Sequence, residues 1–271
     1  MSKADGQIAG RNGAIPIRTY IPADADLEVT VIYLHGGGFI LGGLQSHDSI
    51  CAEIADRAGM RVVAVDYRLA PEYTFPVQVE DAVDAFLALD TGSTVMVGDS
   101  AGASLAAAVC ISQRHSPHRP VGQVLVYPAL GGRHLGLDSY QSQHDAPALT
   151  TADVDAYGEL WSACDPPWSD PLFAPLVQRD MSGIAPCVAF AAEYDPLRDD
   201  AAAYVEKLVS AGIKSECYVE PGLVHGYLRA RHCSEKAAAS FGRICSAITR
   251  LANLYFGSGF SFIRFSPIID Q

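Results

Sequence analysis

Ser100 stands in Gly98-Asp99-Ser100-Ala101-Gly102, directly behind the apolar run Thr94–Gly98 and ahead of the apolar run Ala103–Ser112. A serine hydroxyl is a weak nucleophile until a neighbouring base takes its proton. The GxSxG pattern by itself is a weak signal, but its place between a strand-like and a helix-like run strengthens it. A sharp turn there forces the hydroxyl out over the end of a sheet, and Gly98, Ala101 and Gly102 leave the backbone room to fold that tightly. The following helix would aim its N-terminus at the same spot, which favours developing negative charge. The competing reading is Ser100 as an ordinary helix N-cap.

A base has to come from the eight histidines. His225 stands in EPGLVHGYLR, after the last strand-like run and before the last helical one, with Gly226 leaving space beside it. His115 and His118 lie in a polar RHSPHRP loop and read as solvent-facing. The base needs a carboxylate to hold its tautomer and stabilise the imidazolium. AFAAEYDPLRDD offers Glu193, Asp195, Asp199 and Asp200 just past a buried strand, and Asp195 is the best placed. Asp195 followed by Pro196 is also a good N-cap with proline at the first helical position. Asp199 and Asp200 suit the first turn of a helix, where they complement its dipole.

A glycine-rich run, YLHGGGFILGG from Tyr33 to Gly43, follows another apolar strand-like segment. Glycine loses more freedom on folding than any other residue, so such a run implies a use. In acyl transfer, consecutive N–H groups aimed into a site would hold an oxyanion. The alternative is a dinucleotide loop, with Asp66 near where a ribose-binding acid would fall. The GxGxxG spacing fails, because Leu41 occupies the third glycine's place.

These residues need elements to position them. Strand-like runs at Glu28–Leu34, RVVAVDY, Thr94–Gly98, GQVLVYP, PCVAFAA and KSECYVE alternate with helical ones. The helical runs include SICAEIADRAG ending at Gly59, and VQVEDAVDAFLAL with Val79, Val83, Phe86 and Leu87 on its apolar stripe. LRDDAAAYVEKLVSAG closes at Gly212, and a last helix from Glu235 places Ala238, Phe241, Ile244, Cys245, Ile248 and Leu251 on one face. Near-continuously apolar strands alternating with helices predict an α/β fold, a mostly parallel twisted sheet with helices on both faces. Ligands in such sheets sit at the carboxyl ends of the strands, where Ser100, Asp195 and His225 all fall. Ser…Asp…His is also the chain order expected of α/β-hydrolases.

The bulk composition narrows the function. The 271 residues suit one large domain, taken as 1–256, with 129–180 as a partial cap or lid insertion. The tail 257–271 reads as a Gly-Ser hinge with apolar residues, its role open. A net charge of −12 argues against a nucleic-acid partner, since no basic patch neutralises phosphates. Seven scattered cysteines without CxxC read as reduced thiols in a cytoplasmic protein. The N-terminus lacks a signal-peptide pattern, and no apolar stretch is long enough to span a bilayer.

Together, HGGGF at 35–39, DYRLAPE at 66–72, GDSAG at 98–102, DPLRDD at 195–200 and HGY at 225–227 resemble the hormone-sensitive-lipase family of α/β-hydrolase esterases. The resemblance covers roughly residues 15–255 and implies the α/β-hydrolase fold. It implies Ser100 as nucleophile, Asp195 as triad acid and His225 as base. The N–H groups of Gly37, Gly38 and Ala101 would form the oxyanion hole, with Gly36 a lesser candidate. His35 would shape the glycine turn rather than act as a base. The implied activity is serine carboxylesterase on short- to medium-chain esters, with no cofactor and no metal, and a homodimer is among the implied states. Little chain precedes His35, so a reduced cap and an open acyl pocket are expected. The alternatives are a small-molecule amidase or formamidase and a non-catalytic ligand receptor on the same fold.

Overall fold

The computed structural model describes residues 1–256, without the side chains of the last three; the tail 257–271 lies outside the described residues. Eight strands form one sheet: β1 Ser2–Gly10, β2 Gly13–Ile21, β3 Asp26–Leu34, β4 Met60–Val65, β5 Thr94–Asp99, β6 Gly122–Val126, β7 Cys187–Tyr194 and β8 Glu216–Val224. Their spatial order is β1-β2-β4-β3-β5-β6-β7-β8. β1 and β2 pair antiparallel, as do β2 and β4, and every later pairing is parallel. The mostly parallel sheet expected from the alternating runs is present.

Five long helices cover the sheet: α1 Asp48–Ala58, α2 Val77–Leu89, α3 Ala101–Ser112, α7 Arg198–Ser210 and α8 Glu235–Phe256. Successive strand residues point to opposite faces, so each strand divides its side chains between two cores. Met96 of β5 joins Val83, Ala106 and Tyr204 under α2, α3 and α7. Its neighbours Val95 and Val97 join Ile54 and Phe241 under α1 and α8. A central strand must therefore be apolar on both faces, as β5 is. Helix α3 is buried from Ala101 to Ile111, which is why its sequence has no polar face. Gly59 ends α1 in the left-handed conformation (φ 67°) that its missing Cβ permits.

Three details depart from the sequence reading. Leu87 is 52% exposed: the buried face of α2 turns toward Ala82 and Ala85 and leaves Leu87 at its solvent edge. On α8, Ala237 is fully buried while Ala238 is half-buried. The β1–β2 hairpin was not anticipated, because β1 is almost wholly exposed and carries no apolar alternation. Asn12-Gly13 at its tip, with Gly13 at φ 111°, is the turn signal that marks it.

Residues 129–180 hold three α-helices, α4 Gly132–Leu135, α5 Ser139–Ser142 and α6 Thr151–Trp161, and a 3₁₀ turn at Pro175–Val177. Thr150 and Asp153 close a reciprocal capping box at the start of α6. Among the described residues, no helix is long and apolar enough to cross a membrane.

Candidate active site

β5 ends at Asp99 and α3 begins at Ala101, so the whole change of direction falls on Ser100. Its backbone sits at φ 53°, ψ −123°, a strained conformation held by its N–H donating to Val126 O at 2.9 Å. Neighbouring glycines make the turn sterically possible. A Cβ on Gly98 would collide with the backbone of Gly102, and one on Gly102 with the carbonyl of Leu34. Ser100 occupies the N-cap position of α3, yet its side chain makes no capping bond. The hydroxyl is instead 2.9 Å from His225 Nε2.

The other ring nitrogen, His225 Nδ1, lies 2.7 Å from Asp195 Oδ2. A carboxylate at Nδ1 assigns the proton to that nitrogen, leaving the Nε2 lone pair facing Ser100. Asp195 is fully buried, and its Oδ1 accepts the N–H of Leu197 at 2.9 Å. Its second role is thus a local turn, because α7 starts only at Arg198 with Leu197 at the cap position. The Tyr127 ring packs against His225 at 4.7 Å between centroids. Asp99, Tyr127 and the cap residues received no role from the sequence, although an acid closing the apolar run TVMVG was a signal.

The glycine turn approaches from β3. Gly37 and Gly38 have φ values of 134° and 61°, reached at little cost only by glycine. Gly36 N–H donates to Asp99 Oδ1 at 3.0 Å, so it is not directed at Ser100. Ala101 opens α3, and its N–H has no intrahelical acceptor. Gly38 and Ala101 border the cavity in front of Ser100, whereas Gly37 is not part of its lining. His35 is buried against this turn, with Nδ1 2.9 Å from Gly36 O and its ring stacked on Tyr67 at 4.3 Å. Burial lowers the pKa of His35 to about 4, which keeps it neutral.

The cavity has a volume of about 60 Å³ and aromatic walls. Phe39 stacks on Trp161 at 3.6 Å, and Trp161 on Phe173 at 4.4 Å. Trp161 Nε1–H donates to Gln78 Oε1 at 2.9 Å, which satisfies its polar end. Tyr157 of α6 lies over Gly38, where an added Cβ would be 2.7 Å from the ring. Tyr140, Leu149, Trp161 and Phe173, all buried, come from residues 129–180 and fold over Ser100.

The wall of the cavity is tied to α7 by Asp200. Its Oδ2 accepts from Leu130 N–H at 2.6 Å, Gly132 N–H at 3.2 Å and Tyr140 OH at 3.1 Å. Its Oδ1 is buried without a partner. Burial raises the Asp200 pKa to about 7, more than the three donors lower it. The structure therefore brings Ser100, His225 and Asp195 into one hydrogen-bonded chain beside Gly38 and Ala101. Such a chain can carry a proton from the serine hydroxyl to the imidazole while nearby N–H groups meet an oxyanion.

Residues 31–229 match a family model described as alpha/beta hydrolase fold. The carboxylesterase NlhH of Mycobacterium tuberculosis is 37% identical over 251 residues, 87% of this chain and 78% of its own. An ethyl acetate hydrolase of Pseudomonas putida is 32% identical over 262 residues, 90% of this chain and 81% of its own. Among solved structures, a hyperthermophilic esterase of Pyrobaculum calidifontis superposes with a TM-score of 0.87 at 33% identity, over 93% of this chain and 86% of that one.

Proposed function

The chain belongs to the hormone-sensitive-lipase family of α/β-hydrolase esterases, and from that premise we propose that it is a serine carboxylesterase with Ser100 as nucleophile, acting on short- to medium-chain esters. The observation that carries this reading is the Ser100–His225–Asp195 chain at 2.9 and 2.7 Å, opening onto an apolar cavity. The amidase and receptor readings have no comparable support.

In this reading His225 Nε2 takes the Ser100 proton as Oγ attacks the ester carbonyl carbon. The carbonyl π electrons move onto oxygen, and the N–H groups of Gly37, Gly38 and Ala101 receive the oxyanion. Collapse of the tetrahedral adduct breaks the bond to the alkoxy oxygen, which leaves as the alcohol with the proton held on His225. Water then gives its proton to His225 and attacks the acyl-enzyme, and collapse returns the proton to Ser100 as the acid departs. Asp195 stabilises the imidazolium at both stages without itself becoming protonated. Residues 129–180 act as the cap of a single domain that spans 1–256.

The same reading includes a cytoplasmic location, supported by seven cysteines that all stand unpaired, and a homodimer. The test is fluorophosphonate labelling with peptide mapping, beside hydrolysis of p-nitrophenyl acetate, butyrate and octanoate. One adduct on Ser100 is expected, and Ser100→Ala is expected to lower ester turnover by ~10⁴-fold or more with its circular dichroism unchanged. Turnover retained in Ser100→Ala would overturn the assignment.

A further inference from the structure

Asp99 precedes the serine and is 5% exposed, yet its carboxylate holds four neighbours. Oδ1 accepts from Tyr33 OH at 2.7 Å and Gly36 N–H at 3.0 Å, and Oδ2 from Tyr127 OH at 3.3 Å. The fourth neighbour is His47, whose Nε2 lies 3.3 Å from Oδ1. Two of the other contacts bear on the site. Gly36 opens the turn that carries Gly37 and Gly38, and a Cβ on it would be 2.5 Å from Asp99 Oδ2. Tyr127 packs on the ring of His225.

A buried carboxylate is stable only with a countercharge or full hydrogen bonding. Among the described residues, His47 is the group at ion-pair distance from Asp99 that can carry a positive charge. On β3 and just beyond β4, burial pushes the Tyr33 and Tyr67 phenols up, so both are neutral. Tyr127, Tyr227 and the α1 thiol of Cys51 are raised in the same way. His35 is held neutral. Asp48, next to His47 in sequence, is taken up by Lys3 at 3.2 Å and Arg18 at 2.9 Å.

The hydrogen bonds of His47 point the same way. Ser46 Oγ lies 2.8 Å from His47 Nδ1, and its single hydroxyl proton is donated to Gly43 O at 2.9 Å. Ser46 Oγ therefore accepts at Nδ1, while Nε2 stands at ion-pair distance from Asp99 Oδ1. Both ring nitrogens face oxygen atoms, an arrangement that a ring carrying a proton on each nitrogen satisfies.

We propose that His47 is a positioning residue for the esterase reaction: as a buried imidazolium it keeps Asp99 ionised, and Asp99 in turn holds the glycine turn and the Tyr127 wall behind His225. This rests on the esterase reading of Ser100. Asp99 lies well below the usual carboxylate range, against the burial that raises it, with the His47 charge the largest opposing cause. Without that charge Asp99 takes up a proton at a higher pH, and Oδ1 can no longer accept from all its partners.

The test is a mutant cycle of His47→Gln, Asp99→Asn and the double variant, each followed by circular dichroism, melting temperature and the pH dependence of kcat and KM. His47→Gln is expected to lower kcat roughly ten- to hundred-fold with KM little changed, because the oxyanion donors shift by a fraction of an ångström. The acid limb of its kcat profile moves to higher pH, a change that a merely structural histidine would not produce. In the Asp99→Asn background the same substitution is expected to have no further effect. An unmoved acid limb, or an equal loss in that background, overturns the proposal. Should His47→Gln fail to fold, the double variant is expected to fold, since the amide needs no countercharge; failure of both overturns the proposal as well. Nitrogen-edited NMR of the wild type reads two ring N–H protons on His47 without using turnover. A wild-type protein without ester turnover would overturn the esterase reading, and a single ring proton would overturn the charge pair.

Discussion

At Asp200 a carboxyl group is enclosed with only one of its two oxygens satisfied. Its folded-state pKa is raised from 3.8 to about 7, so across that window the native chain keeps a proton that the unfolded chain has released. Stability contributed by the group falls as pH rises through the same window and is at its lowest above pH ~7. His35 has the opposite sign. Its pKa falls from 6.5 to about 4, so the unfolded chain binds the extra proton and stability rises with pH over that range. The two slopes oppose each other in the wild type up to pH ~6.5, and only a variant separates them. Asp200→Asn keeps an acceptor for Leu130 and Gly132 and has no charge to desolvate. Its melting temperature is expected to exceed that of the wild type by a margin that grows between pH 4 and 7 and then levels off. A pH-independent margin in scanning calorimetry would show that Asp200 is ionised throughout. Nothing in the local sequence reveals this, because DPLRDD reads equally well as an ordinary helix first turn.

At the scale of elements, the site depends on how α6 docks against the glycine turn. The Thr150–Asp153 box explains where that helix starts. Which of its residues meets the turn was not legible, since that depends on contacts with Phe39 and Gln78, far away in the chain. Tyr157 takes the place over Gly38 and narrows the cavity there. Tyr157→Ala is therefore expected to raise the octanoate-to-acetate ratio of kcat/KM by about tenfold, the order that a few added methylenes are worth in an apolar pocket. An unchanged ratio would place the limit on chain length elsewhere along the wall. The aromatic stack of Phe39, Trp161 and Phe173 should stay in place in this variant, because Tyr157 is not one of its rings.

The whole molecule separates chemistry from its edge. Ser100, Asp195 and His225 lie at the carboxyl ends of β5, β7 and β8, in the interior and at the far side of the sheet, while β1 closes the opposite side. β1 is the edge strand beside β2, and beyond the backbone it is tied by Asp5 to Arg18 at 2.5 Å, by Lys3 to Asp48 at 3.2 Å and by Ile8 packed on the core. Arg18 also reaches Asp48 at 2.9 Å and keeps that partner if β1 is removed. Deletion of residues 1–10 is expected to lower the melting temperature by roughly 5 °C and to leave kcat for p-nitrophenyl acetate within about twofold. A loss of turnover in folded protein would reveal a path from this edge to the site. The hairpin escaped the sequence reading because an exposed edge strand needs no apolar pattern, only a turn and a paired neighbour.

The six strands β3 to β8 with the long helices between them, the parallel sheet, and the placing of Ser100, Asp195 and His225 just past strands were readable from sequence alone. Each depends on local rules: apolar periodicity, a glycine-flanked serine between strand and helix, and acid and histidine placed just past strands. The tertiary structure decided what those residues face. It directed Gly36 to Asp99 rather than into the site, set His47 against that carboxylate and buried Asp200 with an unpaired oxygen. It also set the aromatic wall of 129–180 beside the serine. Hydrogen-bond partners and desolvation depend on which distant segments converge, and one-dimensional spacing carries no record of that convergence.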